Sequence, residues 1–290
     1  MQSSLLSWMR AIRPPTLTAS VIPVVLGSVL AAKVYPLHVI GFLLAVIAMT
    51  FFQIASNLIN DVDDFNRHVD TQESLGSSRV IVEELLTQKQ VRTASHIFFL
   101  LAVGIGIYLS IVGGVVILII GLFGAAGAYA YTGKPFRLKY RGYGIPLVFI
   151  MFGPLPVVGA YYLSAGSFSW LPPIQSVPVG LLTTAILHAN DLRDIEHDRK
   201  AGIKSLAMAI GAQKARLFYK GLILGAYAAV IVDVLTGVLS AWGLLVILSV
   251  PLALMLMKSA ETTENLRTLD HKTAALQLTF GLLLLIAVLF

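Results

Sequence analysis

Cysteine is absent from the 290 residues, which excludes disulfides and thiolate metal sites. Charge is scarce: Asp, Glu, Lys and Arg make up 12% of the chain, about half of the roughly 25% usual in a soluble domain. Hydrophobic residues fill 57% of it. A soluble domain of this length could not bury that much apolar surface, so the solvent around the core has to be lipid. A net charge of +6 would suit a nucleic-acid partner. The distribution argues against one, because the basic residues follow the rule for membrane topology.

A spanning helix needs about 20 apolar residues. Nine stretches qualify, at approximately 16–33, 38–59, 94–112, 114–131, 144–163, 170–189, 217–235, 237–257 and 273–290. The weakest is 170–189, with Pro172, Pro173, Gln175 and Pro178. The third and fourth are separated only at Gly113 and Gly114, which predicts a tight turn. Pro154, Pro156 and Pro251 fall inside spans and are expected to kink them. Residues 1–13 read as a short interfacial helix, with Trp8 near the headgroups, rather than a cleavable leader. The expected fold is therefore all-α: one membrane-embedded domain over 1–290 with nine spans.

With the N-terminus in the cytoplasm, 20 of the 21 basic residues fall on that side, Lys33 alone lying opposite. This pattern satisfies the positive-inside rule and depends on the count of nine. All but Asp233 of the 15 acids lie there too, which the rule does not demand. Acids and bases gathered at one face suggest a polar site; the alternative is ordinary solvated loops.

Two acidic clusters stand out. At the end of the second span, Asn57, Asp61 and Asp64 fall at i, i+4 and i+7, with Asn60 beside them and Asp70 following. At the end of the sixth, after Asn190, Asp191, Asp194 and Asp198 fall at i, i+3 and i+7. Each set forms one helix face. Carboxylates so arranged repel one another, and the helix C-terminus adds to the cost. Cations would relieve both. Oxygen ligands with open positions suit Mg²⁺, which shares its shell with waters and substrate phosphates. Two facing clusters could hold Mg²⁺ around one diphosphate. Calcium lacks its loop spacing, and the histidines do not pair at zinc spacing. The competing reading is that these acids serve only in salt bridges.

A diphosphate also favours direct cations. Arg13, Arg79, Lys134, Arg137, Arg141 and Lys204 are the candidates, each of which could equally be a topology or lipid-headgroup residue. Tyr131 and Tyr140 could face an electron-deficient carbon; their alternative role is the interfacial aromatic belt.

These motifs resemble the UbiA superfamily of intramembrane prenyltransferases over essentially the whole chain, through the nine expected spans, Asn57-x-x-Asn60-Asp61-x-x-Asp64 and Asp191-x-x-Asp194-x-x-x-Asp198. Ile12-Arg13-Pro14-Pro15-Thr16-Leu17, the gap from Asp64 to Asp70, and Asn190 to Arg199 are similar to the menaquinone branch, the 1,4-dihydroxy-2-naphthoate polyprenyltransferases. Gly142-Tyr143-Gly144-Ile145-Pro146 lacks the acidic residue expected after the glycine, and Gly76-Ser77-Ser78-Arg79 departs from that of well-known bacterial members. The resemblance implies a central cavity open to the cytoplasm and to lipid. It implies that Asp61, Asp64, Asp191, Asp194 and Asp198 bind Mg²⁺ and thereby a polyprenyl diphosphate, with Asn57 and Asn60 assisting and Asp70 in the site. The implied reaction is prenyl transfer to an aromatic acceptor in a prokaryotic plasma membrane. Other acceptors remain open: 4-hydroxybenzoate, homogentisate, haem or a glycerol-phosphate lipid. A divalent-cation transporter is a different class, and its acids belong near the bilayer midplane rather than at helix ends.

Overall fold

The computed structural model describes residues 4–72, 78–200 and 202–290. Met1–Ser3 of the expected interfacial helix and Gly76–Ser77 of the segment before Arg79 lie outside these. Every regular element among the described residues is helical. Seven helical stretches are long and apolar enough to cross a bilayer: Ser4–Ala32, Val39–Asn66, Gln88–Thr132, Gly144–Ala165, Ala212–Leu235, Ala241–Ser259 and Thr263–Leu289. By that criterion the expected nine are not established, and the difference lies in two helices.

The first is α4, after α1 (Ser4–Ile12), α2 (Thr18–Ala32) and α3 (Val39–Asn66). Helix α4 runs from Gln88 to Thr132 as one element of 45 residues. Straight, it would reach about 68 Å, more than twice a hydrocarbon core of about 30 Å. It is not straight. Gly114 has φ 75° and ψ −168°, a backbone state open to glycine and costly for residues with a Cβ. Gln88, at one end of α4, donates to Asn66 at the end of α3. Lys139, just past the other end, reaches Asp64 on the same turn of α3. Both ends of α4 thus lie at one end of α3, and the chain reverses at Gly114, where the sequence predicts a tight turn.

The second is α7 (Leu171–Arg193), which follows α5 (Gly144–Phe152) and α6 (Pro154–Ala165). It is packed by α2, α5, α6, by α10 (Ala212–Leu235), which follows the short α8 (Ile195–Lys200) and α9 (Leu206–Ile210), and by α12 (Leu269–Leu289) after α11 (Val250–Ser259). A helix walled by other helices shows little surface to lipid, so it tolerates Pro178, Gln175 and a fully buried His188. That position explains its weak apolar signal.

Two of the three prolines interrupt their spans as expected, Pro154 within Gly144–Ala165 and Pro251 within Ala241–Ser259, whereas Pro156 lies inside the first turn of α6. Pro154 begins a new helix after a break at Gly153, and Pro251 sits in the first turn of α11, where 3₁₀ helix over Ala241–Ser249 gives way to α-helix. A proline at a helix start loses no hydrogen bond, because that N–H has no intrahelical partner anyway. Pro23 and Pro178 are the ones inside helices.

Helix α1 turns Leu5, Leu6 and Met9 outward and buries Ser7 and Ala11. Trp8 packs inward, with Ile12, on the cluster of Leu58, Val62 and Val80. The larger core joins α2, α6, α7, α10, α11 and α12 around Leu26, Leu182, Ile223, Leu256 and Phe280. Within it α2 meets α6 so closely at Gly27 that a Cβ there would stand 2.1 Å from the Val157 carbonyl oxygen.

Candidate active site

Helix α3 continues through Asn66, past the 38–59 span, so the first acidic cluster is helical throughout. Its spacing does what the sequence predicts: Asn57, Asp61 and Asp64 are all buried. Asp61 accepts from Arg13 and from Ser78, both at very short range. Asp64 accepts from Lys139 Nζ at 2.6 Å and from the Tyr140 hydroxyl at 2.9 Å. Arg13 reaches Asp61 from a left-handed backbone turn (φ 56°) between α1 and the 3₁₀ turn Pro14–Leu17.

The second cluster does not lie on one helix face as expected: α7 ends at Arg193, Asp194 caps it, and Asp198 stands on the separate helix α8. Asp194 takes both oxygens to Arg193, at 2.9 Å from Nε and 2.8 Å from the second terminal nitrogen. Arg193 uses its remaining terminal nitrogen on Asp270 of α12, at 2.7 Å. The salt-bridge reading is thus realised at Asp61, Asp64 and Asp194. Asp198 is buried. Its carboxyl is pushed up to about 7, chiefly by burial and next by the negative Asp194, with Lys139 opposing and Ser205 donating to it. Burial is the largest single influence on Lys139 and works against its charge, but the Asp64 charge and hydrogen bond together with Tyr140 and Tyr131 outweigh it and hold the ammonium well above its ordinary value.

Between the clusters lies a cavity of about 750 Å³. Its polar end is lined by Arg13, Asn57, Asn60, Asp64, Asp70, Tyr131, Lys139, Asn190, Asp191, Asp194 and Asp198. Leu118, Leu122, Val148, Met151 and Leu155 line the remainder. The two acidic clusters therefore share one chamber, with Lys139 close enough to Asp64 and Asp198 to act on the charge of both.

Other sequence candidates stand elsewhere. Asp61 lies behind the wall, covered by Arg13 and Ser78. Tyr140 reaches the chamber only through its bond to Asp64, and Arg67 lies 4.2 Å above its ring. Arg79 pairs with Glu83, which also holds Arg10. Arg79, Lys134, Arg137, Arg141 and Lys204 are not among the lining residues. Conversely, sequence reasoning left out Gln53, Thr16, Lys139, Arg193, Arg267, Asp270 and His271, all of which line the cavity. Gln53 carries a findable signal, four residues before Asn57 on the same face. Asp270 carries none, since it reaches Arg193 from 77 residues away.

A resident metal has a stringent test here. Among the described residues, no three carboxylate or imidazole side chains converge to enclose an ion. Mg²⁺ does not require such a cage, since it is held by one or two carboxylates together with waters and substrate phosphates. The wall carboxylates Asp64, Asp191, Asp194 and Asp198 and the amides of Asn60 and Asn190 are oxygen donors from two facing walls and fit that ion.

Fold and site define a polytopic membrane protein with a carboxylate-lined chamber at one end of its helices. Residues 20–288 match the UbiA prenyltransferase family. A 1,4-dihydroxy-2-naphthoate octaprenyltransferase of Bacillus subtilis (strain 168) is 33% identical, over 96% of this chain and 90% of its own. The same fold occurs in the apo structure of a UbiA homolog from Aeropyrum pernix K1 (TM-score 0.71, 16% identity, 93% of this chain and 97% of that one). It recurs in a UbiA homolog from Archaeoglobus fulgidus bound to DMAPP and Mg²⁺ (TM-score 0.63, 16% identity, 98% and 99%). The chain belongs to the UbiA prenyltransferase family.

Proposed function

We propose that this protein transfers a polyprenyl group from a polyprenyl diphosphate to 1,4-dihydroxy-2-naphthoate, with Mg²⁺ as cofactor, as a step of menaquinone biosynthesis. The observation that carries the reading is the pair of acidic clusters on one chamber with Lys139 between them. Support for the acceptor comes from the Bacillus relative's name. Support for donor and ion comes from the archaeal homolog bound to DMAPP and Mg²⁺.

Asp64, Asp191, Asp194 and Asp198 would hold Mg²⁺, with Asp61 in support, Asn60 and Asn190 as neutral oxygen donors, and Asn57 bracing the wall through Ile12, Thr16 and Gln53. When bound, the ion supplies positive charge to the departing diphosphate. Arg13 and Lys139 add direct cations at the same end, Arg13 as a planar fork and Lys139 as a point charge. Both are oriented in advance by Asp61 and Asp64, so little reorganisation accompanies leaving-group departure. Asp70 lines the same polar end, whereas Arg79, Lys134, Arg137, Arg141, Lys204 and Tyr140 belong to the surround of this site. The allylic C–O bond breaks with its electron pair going to the diphosphate. The ring then forms the new C–C bond with its own π electrons, and loss of its carboxylate as CO₂ returns a pair to the ring. Tyr131 on the wall presents an aromatic ring to the positive carbon, and the apolar wall holds the tail while excluding water.

The proposal includes topology. The whole of 1–290 is one domain; the two limbs of α4 and the interior helix α7 each cross the membrane, making nine crossings. The N-terminus and chamber mouth face the cytoplasm of a prokaryotic cell, on the strength of the basic residues. The test is direct: purified protein, Mg²⁺, a polyprenyl diphosphate and a panel of dihydroxynaphthoate, 4-hydroxybenzoate, homogentisate, haem and a glycerol-phosphate lipid. Prenylated naphthoate as the main product is expected. Preference for another acceptor would overturn the choice of naphthoate, and turnover unaffected by a chelator would overturn the role of Mg²⁺.

A further inference from the structure

Two residues that line the cavity each carry a side-chain oxygen that is buried and has no hydrogen-bond partner among the described residues, Gln53 Oε1 and Asp270 Oδ1; a donor in the chamber reaches either one by a small shift of the side chain. Asp270 is anionic and is tied to Arg193 by its other oxygen. Gln53 is neutral and 9% exposed, and its case is different.

Shape alone does not distinguish the two ends of an amide; the bonding network does. The Ile12 carbonyl oxygen can only accept. It lies 2.9 Å from the Asn57 amide nitrogen, which also donates to Thr16 Oγ1 at 2.9 Å. Asn57 Oδ1 is therefore turned towards Gln53 and needs a donor. Gln53 Nε2 supplies it at 3.2 Å. Reversing either amide would set oxygen against oxygen. The chain Ile12–Asn57–Gln53 thus forces Gln53 to present its oxygen as the free end.

Leaving that oxygen dry is costly unless something that enters the chamber donates to it. Gln53 shares the helix face of Asn57, Asp61 and Asp64. It lies about 12 Å along the axis from Asp61, towards the membrane interior, a length that a diphosphate and a ring end to end would fill. An ionised prenyl diphosphate has no O–H to offer, and its tail is hydrocarbon. A hydroxylated aromatic does have one.

We infer that Gln53 determines acceptor specificity, its Oε1 accepting a hydrogen bond from a ring hydroxyl of the aromatic substrate. This rests on the function proposed above. The contact orients the ring below the diphosphate. It also leaves electron density on the hydroxyl oxygen, which the adjoining ring carbon uses when it attacks. An O-methylated ring would set a methyl group against an unpaired oxygen, and the site rejects it.

The experiment uses the full chain in nanodiscs with Mg²⁺, a polyprenyl diphosphate, dihydroxynaphthoate and its two mono-O-methyl ethers. Gln53→Met keeps the length of the side chain and removes the accepting oxygen. It should lower kcat/KM for the dihydroxy acceptor roughly 10- to 100-fold, leaving KM for the diphosphate within about twofold. It should also erase the wild-type discrimination against one ether. An unchanged acceptor kcat/KM in Gln53→Met, an equal loss for hydroxyl and ether, or an equal rise in KM for the diphosphate would each overturn the assignment. Wild-type protein that prenylates no hydroxylated aromatic at all would instead remove the underlying function, before any variant is compared.

Discussion

At the scale of single residues, the chamber is a set of charges whose partners are already in place. Asp64 holds Lys139 and Tyr140, so truncating it would strand a part-buried ammonium as well as delete a proposed ligand. Asp64→Asn keeps the shape and removes the charge. It is expected to lower kcat about 100-fold or more with the unfolding temperature little altered; near-normal turnover in a prenylation assay would contradict the proposed site. Asp270 acts through another residue. It fixes Arg193, which fixes the plane of Asp194. Supporting groups of this kind typically alter metal affinity 10- to 100-fold. Asp270→Asn should therefore raise the Mg²⁺ concentration for half-maximal binding by about tenfold, read by titration calorimetry in the presence of a non-reacting diphosphate.

Among the helices, two glycines carry the geometry. Gly114 reverses α4 with a φ of 75°, and a side chain at such a position costs on the order of 1–3 kcal/mol. Gly114→Ala should lower unfolding stability in detergent by about that much, while leaving KM for both substrates near wild type, because the turn is remote from the carboxylates. Gly27 acts by closeness instead. Its missing Cβ lets α2 lie against the backbone of α6 at Val157, and α2 follows Arg13 after the single 3₁₀ turn Pro14–Leu17. Gly27→Leu should both destabilise the protein and weaken diphosphate binding, whereas Gly114→Ala should do only the first. Thermal unfolding together with a diphosphate titration separates the two.

For the whole molecule, the proposed orientation in the membrane is read by labelling single thiols. The absence of cysteine makes the measurement clean, since any introduced thiol is the only one. Lys33→Cys, beyond the end of α2, should be labelled by a membrane-impermeant maleimide from outside intact cells. Arg141→Cys, exposed near the chamber mouth, should be labelled only after the membrane is opened. The reverse pattern would invert the proposed orientation and put the chamber on the outer side.

Local pattern by itself determined that the protein is helical and lies in lipid, since apolar length and charge scarcity act through nearest-neighbour chemistry. The reversal at Gly113–Gly114 and the first acidic face were legible for the same reason: glycine punctuation and i, i+4, i+7 spacing are properties of one segment, whereas the second set, spaced i, i+3, i+7, is divided by the break between α7 and α8. Only tertiary structure decided which bases meet those acids. Lys139 and Arg193 are adjacent to the sequence candidates yet were indistinguishable from Lys134 or Arg141, because a cation's role depends on what faces it across the chamber. Asp270 reaches Arg193, and Ile12 dictates the direction of the Gln53 amide, through contacts between distant segments. No periodicity encodes such contacts, because they arise only when separate helices pack around one cavity.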